Sequence, residues 1–142
     1  MSTITLYRHA LSGHSHRVEA FLSILGLPAA IVDIDLANGA HKHPDYLKKN
    51  RFGQVPVLED GSATLSDSNA ILIYLATRYD TARTWFPEDL VAAAEVQRFL
   101  WVAAGKSAFG PAAARLVIVF GASLDHDNAV TTAHAILTEL ES

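Results

Sequence analysis

Two short polar segments have the composition of anion-binding sites, because each places serine residues at a predicted helix start. The first is Ser-Gly-His-Ser at residues 12–15, and the second is Ser-Asp-Ser at residues 66–68. At a helix N-terminus, free backbone N–H groups and the positive end of the helix dipole join such hydroxyls in binding an anion. The first segment therefore suits a ligand thiolate. The second suits the free amino-acid end of a ligand, with Ser68 facing a carboxylate and Asp67 an ammonium.

Holding a ligand thiolate requires only a modest stabilisation. A free thiol has a pKa of about 8.5 and is mostly protonated at neutral pH. Lowering that pKa by about two units needs about 2.7 kcal/mol of preferential thiolate binding. The chain contains no cysteine, which excludes disulfides, cysteine-ligated zinc and redox chemistry of a protein thiol. Ser12 and Ser15 are both candidates for the thiolate contact, and an ordinary helix cap is the alternative interpretation of either.

A third candidate is the Val55-Pro56 pair, which stands within a segment, residues 55–59, that otherwise reads as a strand. Proline has no ladder donor, so it belongs at a sheet edge, at a bulge or after a cis bond. If the bond is cis, the N–H and C=O of Val55 stay available to pair with an extended peptide ligand, as in strand addition. A plain edge-strand proline is the alternative interpretation.

The elements that must position these segments follow from hydrophobic periodicity. Residues 3–7 and 31–36 read as strands, and an apolar stripe at i, i+3, i+4 and i+7 predicts a helix between them. This βαβ unit should have parallel strands and a right-handed crossover. A short helix over residues 45–49, a hairpin around the Asp-Gly-Ser turn at residues 60–62 and a helix opening near Ser68 complete the predicted order.

The second part of the chain reads as helical after a linker at residues 80–87. An apolar stripe predicts a helix that starts after Pro87, and Gly-Pro at residues 110–111 should kink the helical run. Residues 125–140 predict a further helix. That helix is expected to direct three apolar side chains inward: Ile136, Leu137 and Leu140.

Composition excludes several classes of function. Half of the 142 residues are hydrophobic and 18% are charged, which is typical of a globular protein. The formal charge of −4 and the scattered basic residues give no stripe for nucleic acid. The apolar run at residues 116–120 is far shorter than a membrane span, and the N-terminus lacks a signal pattern, so we expect a cytoplasmic protein that binds no membrane. The two His-x-His pairs, His14 with His16 and His41 with His43, could suggest a metal, but the chain has no cysteine and few carboxylates near them, so we interpret them as solvated histidines and predict no metal site.

Three motifs, in this order, resemble the glutathione transferase superfamily, particularly its serine-type bacterial and theta-like members. They are Leu-Tyr at residues 6–7 with Ser-Gly-His-Ser-His-Arg-Val at 12–18, Gln-Val-Pro-Val-Leu at 54–58, and Ser-Asp-Ser-Asn-Ala-Ile at 66–71. The resemblance implies an α/β thioredoxin-like domain with the order βαβ-α-ββα, a mixed four-stranded sheet and a cis-proline. In that fold, residues 12 and 15 stand where a Cys-x-x-Cys pair would lie.

The resemblance covers residues 1–81 closely and the remainder in part. It implies a glutathione-binding domain at residues 1–81 and a partial all-α domain at residues 82–142. Family members normally carry several more helices than the two or so predicted after residue 81. We therefore expect the glutathione site to be intact and the site of the second substrate to be incomplete.

The resemblance also implies roles for individual residues. Ser12 matches the serine whose hydroxyl stabilises the glutathione thiolate and is the implied catalytic residue, with Ser15 as its substitute. Val55, before the cis Pro56, would pair with the cysteinyl backbone of glutathione. The other implied contacts are polar: Asp67 and Ser68 at the γ-glutamyl end, and His41 and Gln54 at the glycyl carboxylate.

Four aromatic residues need separate interpretation. Other branches of the superfamily use a tyrosine near the end of the first strand, but here the helix-opening serine is the better match. We therefore interpret Tyr7 as strand packing. Phe99, Trp101 and Phe109 could line the pocket of a second substrate, but aromatic residues on such a helix more often belong to the core, and we expect them there.

The implied function is that of a glutathione transferase, an enzyme of detoxification. Glutathione is the co-substrate, Ser12 stabilises its thiolate, and the thiolate attacks a small hydrophobic electrophile. A homodimer is expected, because an incomplete helical domain leaves apolar surface uncovered. Two alternatives are a non-catalytic glutathione-binding or protein-interaction module on the same fold, and a glutathione-dependent peroxidase.

Overall fold

The computed structural model of the protein describes residues 3–142. The chain divides into two compact units, one ending at Pro87 and the other running from Glu88 to Ser142. The sequence placed the division at residues 81 and 82, near the start of the same linker. Each unit is described by itself below.

The first unit is built on a mixed four-stranded sheet with the order β2-β1-β3-β4. β1 pairs in parallel with β2, whereas β1–β3 and β3–β4 are antiparallel. The predicted fold class, a thioredoxin-like α/β domain followed by a helical region, is therefore confirmed. The strands are β1 (Ile4–Arg8), β2 (Ala29–Asp33), β3 (Val57–Asp60) and β4 (Ala63–Ser66).

Three α-helices accompany this sheet: α1 (Gly13–Ile24), α2 (Pro44–Leu47) and α3 (Ser68–Tyr79). Fully buried side chains of α1, α3 and the two central strands form one core, which includes Val18, Leu6, Leu58 and Leu75. Shortening a fully buried leucine to alanine typically costs about 2–5 kcal/mol. This core fixes the start of α1 and the start of α3 at the same sheet.

The second strand differs from its predicted position. Residues 31–36 were expected, but β2 runs over Ala29–Asp33, because it pairs in register with β1 from Ile4↔Ala29 to Arg8↔Asp33. The length of β1 therefore limits β2, and apolar residues beyond Asp33 fall outside the ladder. The hairpin forms as predicted, with Asp60 paired to Ala63 across the turn.

The second unit consists of α4 (Leu90–Ala104), a π-helical turn (Ala108–Ala112), α5 (Ala113–Phe120) and α6 (His126–Glu141). It thus holds three α-helices where about two were expected. The predicted interruption is present as the π-helical turn, which contains Pro111. At Gly110 in that turn, an added Cβ would lie 3.0 Å from the backbone nitrogen of Ala133, so α6 packs against a position that only glycine fits closely.

Much of the apolar surface of the second unit is exposed, which corrects two expectations. Ile136 is buried as predicted, but Leu137 and Leu140 are about half exposed. α4 has no fully buried residue, and the aromatic side chains proposed as core are exposed as well. Their exposed fractions run from 50% to 74%: Phe99, Trp101 and Phe109.

One helical run of the second unit meets the length and composition criteria of a membrane span. Leu90–Phe120 is 31 residues long, with a mean hydropathy of 1.3 over its most apolar window, and is long and apolar enough to cross a bilayer by length and composition alone. The expectation of no membrane span rested on the shorter apolar run at residues 116–120. Four charged residues lie within Leu90–Phe120: Glu95, Arg98, Lys106 and Arg115.

Candidate functional site

A cavity of about 670 Å³ lies at one end of the sheet in the first unit. This volume is within the usual range of small-molecule sites, about 300–1,000 Å³. The loops that lead into β3 and α3 form most of its wall. Its lining residues are His14, Leu36, His41, Lys42, Asn50, Phe52, Gly53, Gln54, Val55, Pro56, Ser66, Asp67 and Ser68.

Six of the predicted site residues line this cavity together: His41, Gln54, Val55, Pro56, Asp67 and Ser68. Ser12 and Ser15 are not among the lining residues. The structure therefore brings together the residues expected along the ligand backbone and at its two ends. From the segment that holds the two serines, His14 is the residue that lines the cavity.

The start of α1 shows how each serine is used. Ser12 is the N-cap, and its Oγ accepts a hydrogen bond from the backbone N–H of Ser15 at 3.2 Å. A hydroxyl that accepts one bond keeps its own hydrogen to donate, so capping leaves Ser12 able to contact a thiolate. Ser15 is fully buried, and its Oγ accepts from the backbone N–H of His9 at 3.3 Å. Of the two candidates, Ser12 is therefore the one with access to solvent.

The start of α3 has an unusual backbone at the cavity wall. Asp67 is the N-cap, its Oδ1 accepts from the backbone N–H of Ala70 at 3.0 Å, and its φ is 73°. Positive φ is uncommon for a residue other than glycine and concentrates at functional sites. Ser68 follows it and is buried, while lining the cavity. The helix start thus presents a carboxylate and a hydroxyl side by side.

Lys42 brings a positive charge to the cavity wall, and the sequence patterns did not predict this residue as part of the site. Lys42 Nζ donates to the carbonyl oxygens of Phe52 at 3.0 Å and Gly53 at 3.1 Å. The neighbouring His41 has a buried Nδ1 with no hydrogen-bond partner among the described residues. The two side chains together suit a carboxylate. The signal available in the sequence was the position of Lys42 directly beside His41.

The segment that precedes β3 is held by two side chains from α2 and the loop after it. The carbonyl oxygen of Gln54 accepts from Tyr46 Oη and from Asn50 Nδ2, both at 2.9 Å. Burial raises the pKa of Tyr46 to about 12, so its hydroxyl stays protonated and donates throughout the neutral range. The peptide bond between Val55 and Pro56 is cis, and β3 begins only at Val57. Val55 therefore lies at the cavity outside the sheet ladder.

Two side-chain contacts join the starts of α1 and α3. His14 Nδ1 lies 3.2 Å from Ser68 Oγ, and Arg17 hydrogen-bonds to the side chain of Asn69 through Nη2. Burial lowers the pKa of Arg17, while the charge of Asp67 opposes that shift. Burial also lowers the pKa of His14, the charge of Arg17 lowers it further, and Asp67 again acts in the opposite direction. His14 was interpreted from sequence as a solvated residue; it is exposed, and it also lines the cavity.

Tyr7 takes part in a different cluster. Its Oη donates to Glu59 Oε2 at 2.8 Å, and Lys49 also binds Glu59 while lying 4.7 Å from the Tyr7 ring centroid. Tyr7 lines a second cavity, of about 590 Å³. It is not among the residues that line the first cavity, which agrees with a packing role. Within residues 3–142, no group of three or more potential metal ligands is present.

The family profile described as "Glutathione S-transferase, N-terminal domain" matches residues 2–77, more than half of the chain. Curated relatives include human glutathione S-transferase theta-2, which is 38% identical over 97 residues, 68% of this chain and 40% of that protein. Maize glutathione S-transferase 3 is 38% identical over 117 residues, 82% of this chain and 52% of that protein. This chain therefore matches only about half or less of the length of these relatives.

Solved structures show the same similarity. A glutathione transferase homolog from Drosophila mojavensis, determined with bound glutathione, superposes with a TM-score of 0.85. It is 29% identical in sequence, and the match covers 96% of this chain and 63% of that one.

Proposed function

The chain belongs to the glutathione S-transferase family, and from this premise we propose that its cavity binds glutathione and that Ser12 stabilises the glutathione thiolate for attack on a small hydrophobic electrophile. The observation that carries the proposal is the chemical match between the cavity and the tripeptide. Glutathione has a carboxylate at each end, an ammonium and a central thiol. The cavity has cationic or hydrogen-bonding groups at two separate walls, with a carboxylate beside one of them.

Each end of the ligand has a partner in this proposal. The glycyl carboxylate lies against His41 and Lys42, where a lysine charge and a buried unpartnered nitrogen favour an anion. The γ-glutamyl end lies at the start of α3, where Ser68 and free backbone N–H groups bind the carboxylate and Asp67 binds the ammonium. Val55 pairs with the cysteinyl backbone between them, because it lies outside the ladder of β3.

The thiolate step uses the start of α1. The Ser12 hydroxyl donates to the sulfur, and the positive end of the helix dipole adds to this stabilisation. The electrons of the thiolate form the new carbon–sulfur bond, and the electrophile either loses a leaving group or takes up a proton. No basic or nucleophilic side chain of the protein needs to react covalently.

A thiol titration tests this step. In the wild-type protein with bound glutathione, ultraviolet absorbance of the thiolate should appear at a pH well below the pKa of the free thiol. Ser12→Ala should return the titration toward the free value, by up to about two pH units if the hydroxyl and helix start supply about 2.7 kcal/mol. Ser12→Gly has no hydroxyl and no charge, and glycine weakens an N-cap by only a few tenths of a kcal/mol, so this variant separates capping from thiolate binding. Ser23→Ala, at the exposed far end of α1, is the control.

A glutathione-binding module without transferase activity is the second candidate. Ser12 is outside the set of residues that line the cavity, and its Oγ is already used as the acceptor of the helix cap. This candidate predicts that wild-type protein binds glutathione without shifting the thiol titration. It also predicts no conjugation of a generic aromatic electrophile. A protein that fails to bind glutathione at all would refute both candidates.

The proposal includes a cytoplasmic homodimer. Its support is the number of large apolar side chains exposed on the second unit, such as Leu90, Trp101 and Ile118, which a second copy of the chain would cover. Sedimentation equilibrium tests the dimer. Partition of the protein into lipid vesicles would instead favour a membrane role for the apolar run Leu90–Phe120.

A further inference from the structure

His14 belongs to the start of α1, but its side chain contacts the start of α3. It stands in the first turn of α1, lines the cavity, and places Nδ1 3.2 Å from Ser68 Oγ at the start of α3. Both histidines of the pair are exposed, but His16, two residues later on the same helix, is not among the lining residues. The two histidines of this His-x-His pair therefore have different surroundings.

Burial, and after it the positive charge of Arg17, favour the neutral form of His14. Burial lowers the pKa of His14, and so does the nearby positive charge of Arg17, whereas Asp67 has the opposite effect. A neutral imidazole carries one hydrogen, so that one ring nitrogen donates and the other accepts. The tautomer consequently decides what the Ser68 hydroxyl does. If Nδ1 lacks the hydrogen, Ser68 donates to His14; if Nδ1 carries it, Ser68 accepts and its own hydrogen is available to a ligand.

We propose that His14 is a positioning residue, whose Nδ1–H donates to Ser68 Oγ and thereby directs the Ser68 hydroxyl to a carboxylate bound at the start of α3. The inference rests on the proposed function, in which that carboxylate belongs to the γ-glutamyl end of glutathione. A chain of two hydrogen bonds then runs from the ring of His14 through Ser68 to the ligand. Such chains strengthen each bond, because each donor polarises the next.

This role makes a selective prediction about replacements of His14. Asparagine can place its amide nitrogen near the position of Nδ1, whereas the longer glutamine places it nearer the position of Nε2. His14→Asn should therefore bind glutathione within about twofold of the wild type. His14→Gln and His14→Ala should bind it about tenfold more weakly, the usual effect of losing a hydrogen bond that supports an ionised partner.

The main experiment measures glutathione affinity by calorimetry for the wild type, the three His14 variants and His16→Ala as the matched control. His16→Ala should equal the wild type, because His16 lies outside the cavity wall. Ser68→Ala should weaken binding, and adding His14→Ala to it should cause no further loss, because the two residues act in series. The thiol titration of bound glutathione should be the same in His14→Ala and the wild type, since His14 acts on the other end of the ligand.

Nitrogen NMR of histidine gives a second readout that does not depend on the variants. In the wild type with glutathione bound, His14 should carry its hydrogen on Nδ1. The opposite tautomer would overturn the inference, as would equal affinity of His14→Ala and the wild type, or full additivity with Ser68→Ala. If the wild type binds no glutathione, the proposed function fails and this inference fails with it. If the wild type binds glutathione and the His14 variants match it, only the inference fails.

Discussion

Gly53 is the residue of the cavity wall whose replacement should have the largest effect on both folding and binding. Its φ is +58°, and a Cβ added there would lie 2.6 Å from the carbonyl oxygen of His41 and 3.0 Å from the side chain of Lys42. An ordinary contact of a Cβ is 3.4 Å or more, so the His41 carbonyl must move by about 0.8 Å to admit a methyl group. The change therefore combines an unfavourable backbone conformation with a displacement of the wall.

The structure offers a control that separates these two effects. Gly39 also has a positive φ, +75°, but an added Cβ would meet no atom within 4 Å. Gly39→Ala should cost only the left-handed backbone conformation, about 1–2 kcal/mol. Gly53→Ala should cost the same amount plus about 1–3 kcal/mol for overpacking. The difference between the two variants isolates the close approach of Gly53 to the segment that holds His41.

Thermal unfolding, followed by circular dichroism, measures this difference. For a unit of this size, each kcal/mol lowers Tm by roughly 4–8 °C, so Gly53→Ala should melt at least about 4 °C below Gly39→Ala. Glutathione affinity should fall in Gly53→Ala and stay near the wild-type value in Gly39→Ala. Equal melting temperatures would refute the reasoning, because they would mean that the wall moves without cost. Equal glutathione affinities of the two variants would mean that this part of the cavity wall does not contact the ligand.

Three further predictions concern other parts of the molecule. The buried side chain of Asp60 accepts a hydrogen bond from Tyr79 Oη at 2.6 Å. Asp60→Asn should lower the free energy of unfolding by roughly 3 kcal/mol, and Tyr79→Phe should lower it by about 1 kcal/mol, as measured by urea unfolding. The hydrogen bond from Lys49 lowers the pKa of Glu59 most, and the hydrogen bond from Tyr7 lowers it further. The ionised Glu59 therefore stabilises the fold at pH values above its pKa in the unfolded chain, and this stabilisation is lost as pH falls through its pKa in the folded protein. Glu59→Gln should therefore be about 0.5–1 kcal/mol less stable than the wild type near pH 7, and this difference should shrink as pH falls through the folded pKa of Glu59. Sedimentation equilibrium should detect a dimer that weakens on Trp101→Glu; a wild type that stays monomeric would contradict the homodimer.

Local signals in the sequence predict most of the first unit. Turn chemistry and periodicity identify the hairpin and the order of the strands, because these features depend on neighbours along the chain. The limits of β2 were predicted wrongly for a non-local reason. Its ladder ends opposite Arg8, so that the apolar character of Ile34 cannot extend the strand beyond Asp33.

The second unit shows where periodicity alone is insufficient. The spacing of Leu137 and Leu140 fits the same helical face as Ile136, yet only Ile136 is buried. Burial requires an opposing surface, and Ile136 has one in Gly110 of the π-helical turn. The spacing of apolar residues therefore identifies a face that could be buried, whereas the packing partner decides how much of that face is buried.

The candidate site illustrates the same division between local and non-local information. Val55 and Pro56 are recognisable because a proline interrupts a strand pattern, and Asp67 with Ser68 because they open a helix. Only the family resemblance implied His41 and Gln54. His14 and Lys42 lie beside predicted site residues, but their roles do not follow from that position, because their partners are 54 and about 10 residues away in sequence. Lys42 also donates to the carbonyl oxygen of Gly53, a position where an added Cβ would clash with the His41 carbonyl, so the backbone at Gly53 helps to hold the Lys42 ammonium. Local sequence signals therefore identify such a site, whereas its charge and the direction of its hydrogen bonds depend on contacts between residues distant in sequence. For this reason the His14 variants and the Gly53→Ala and Gly39→Ala pair test the site more directly than substitutions of the motif residues.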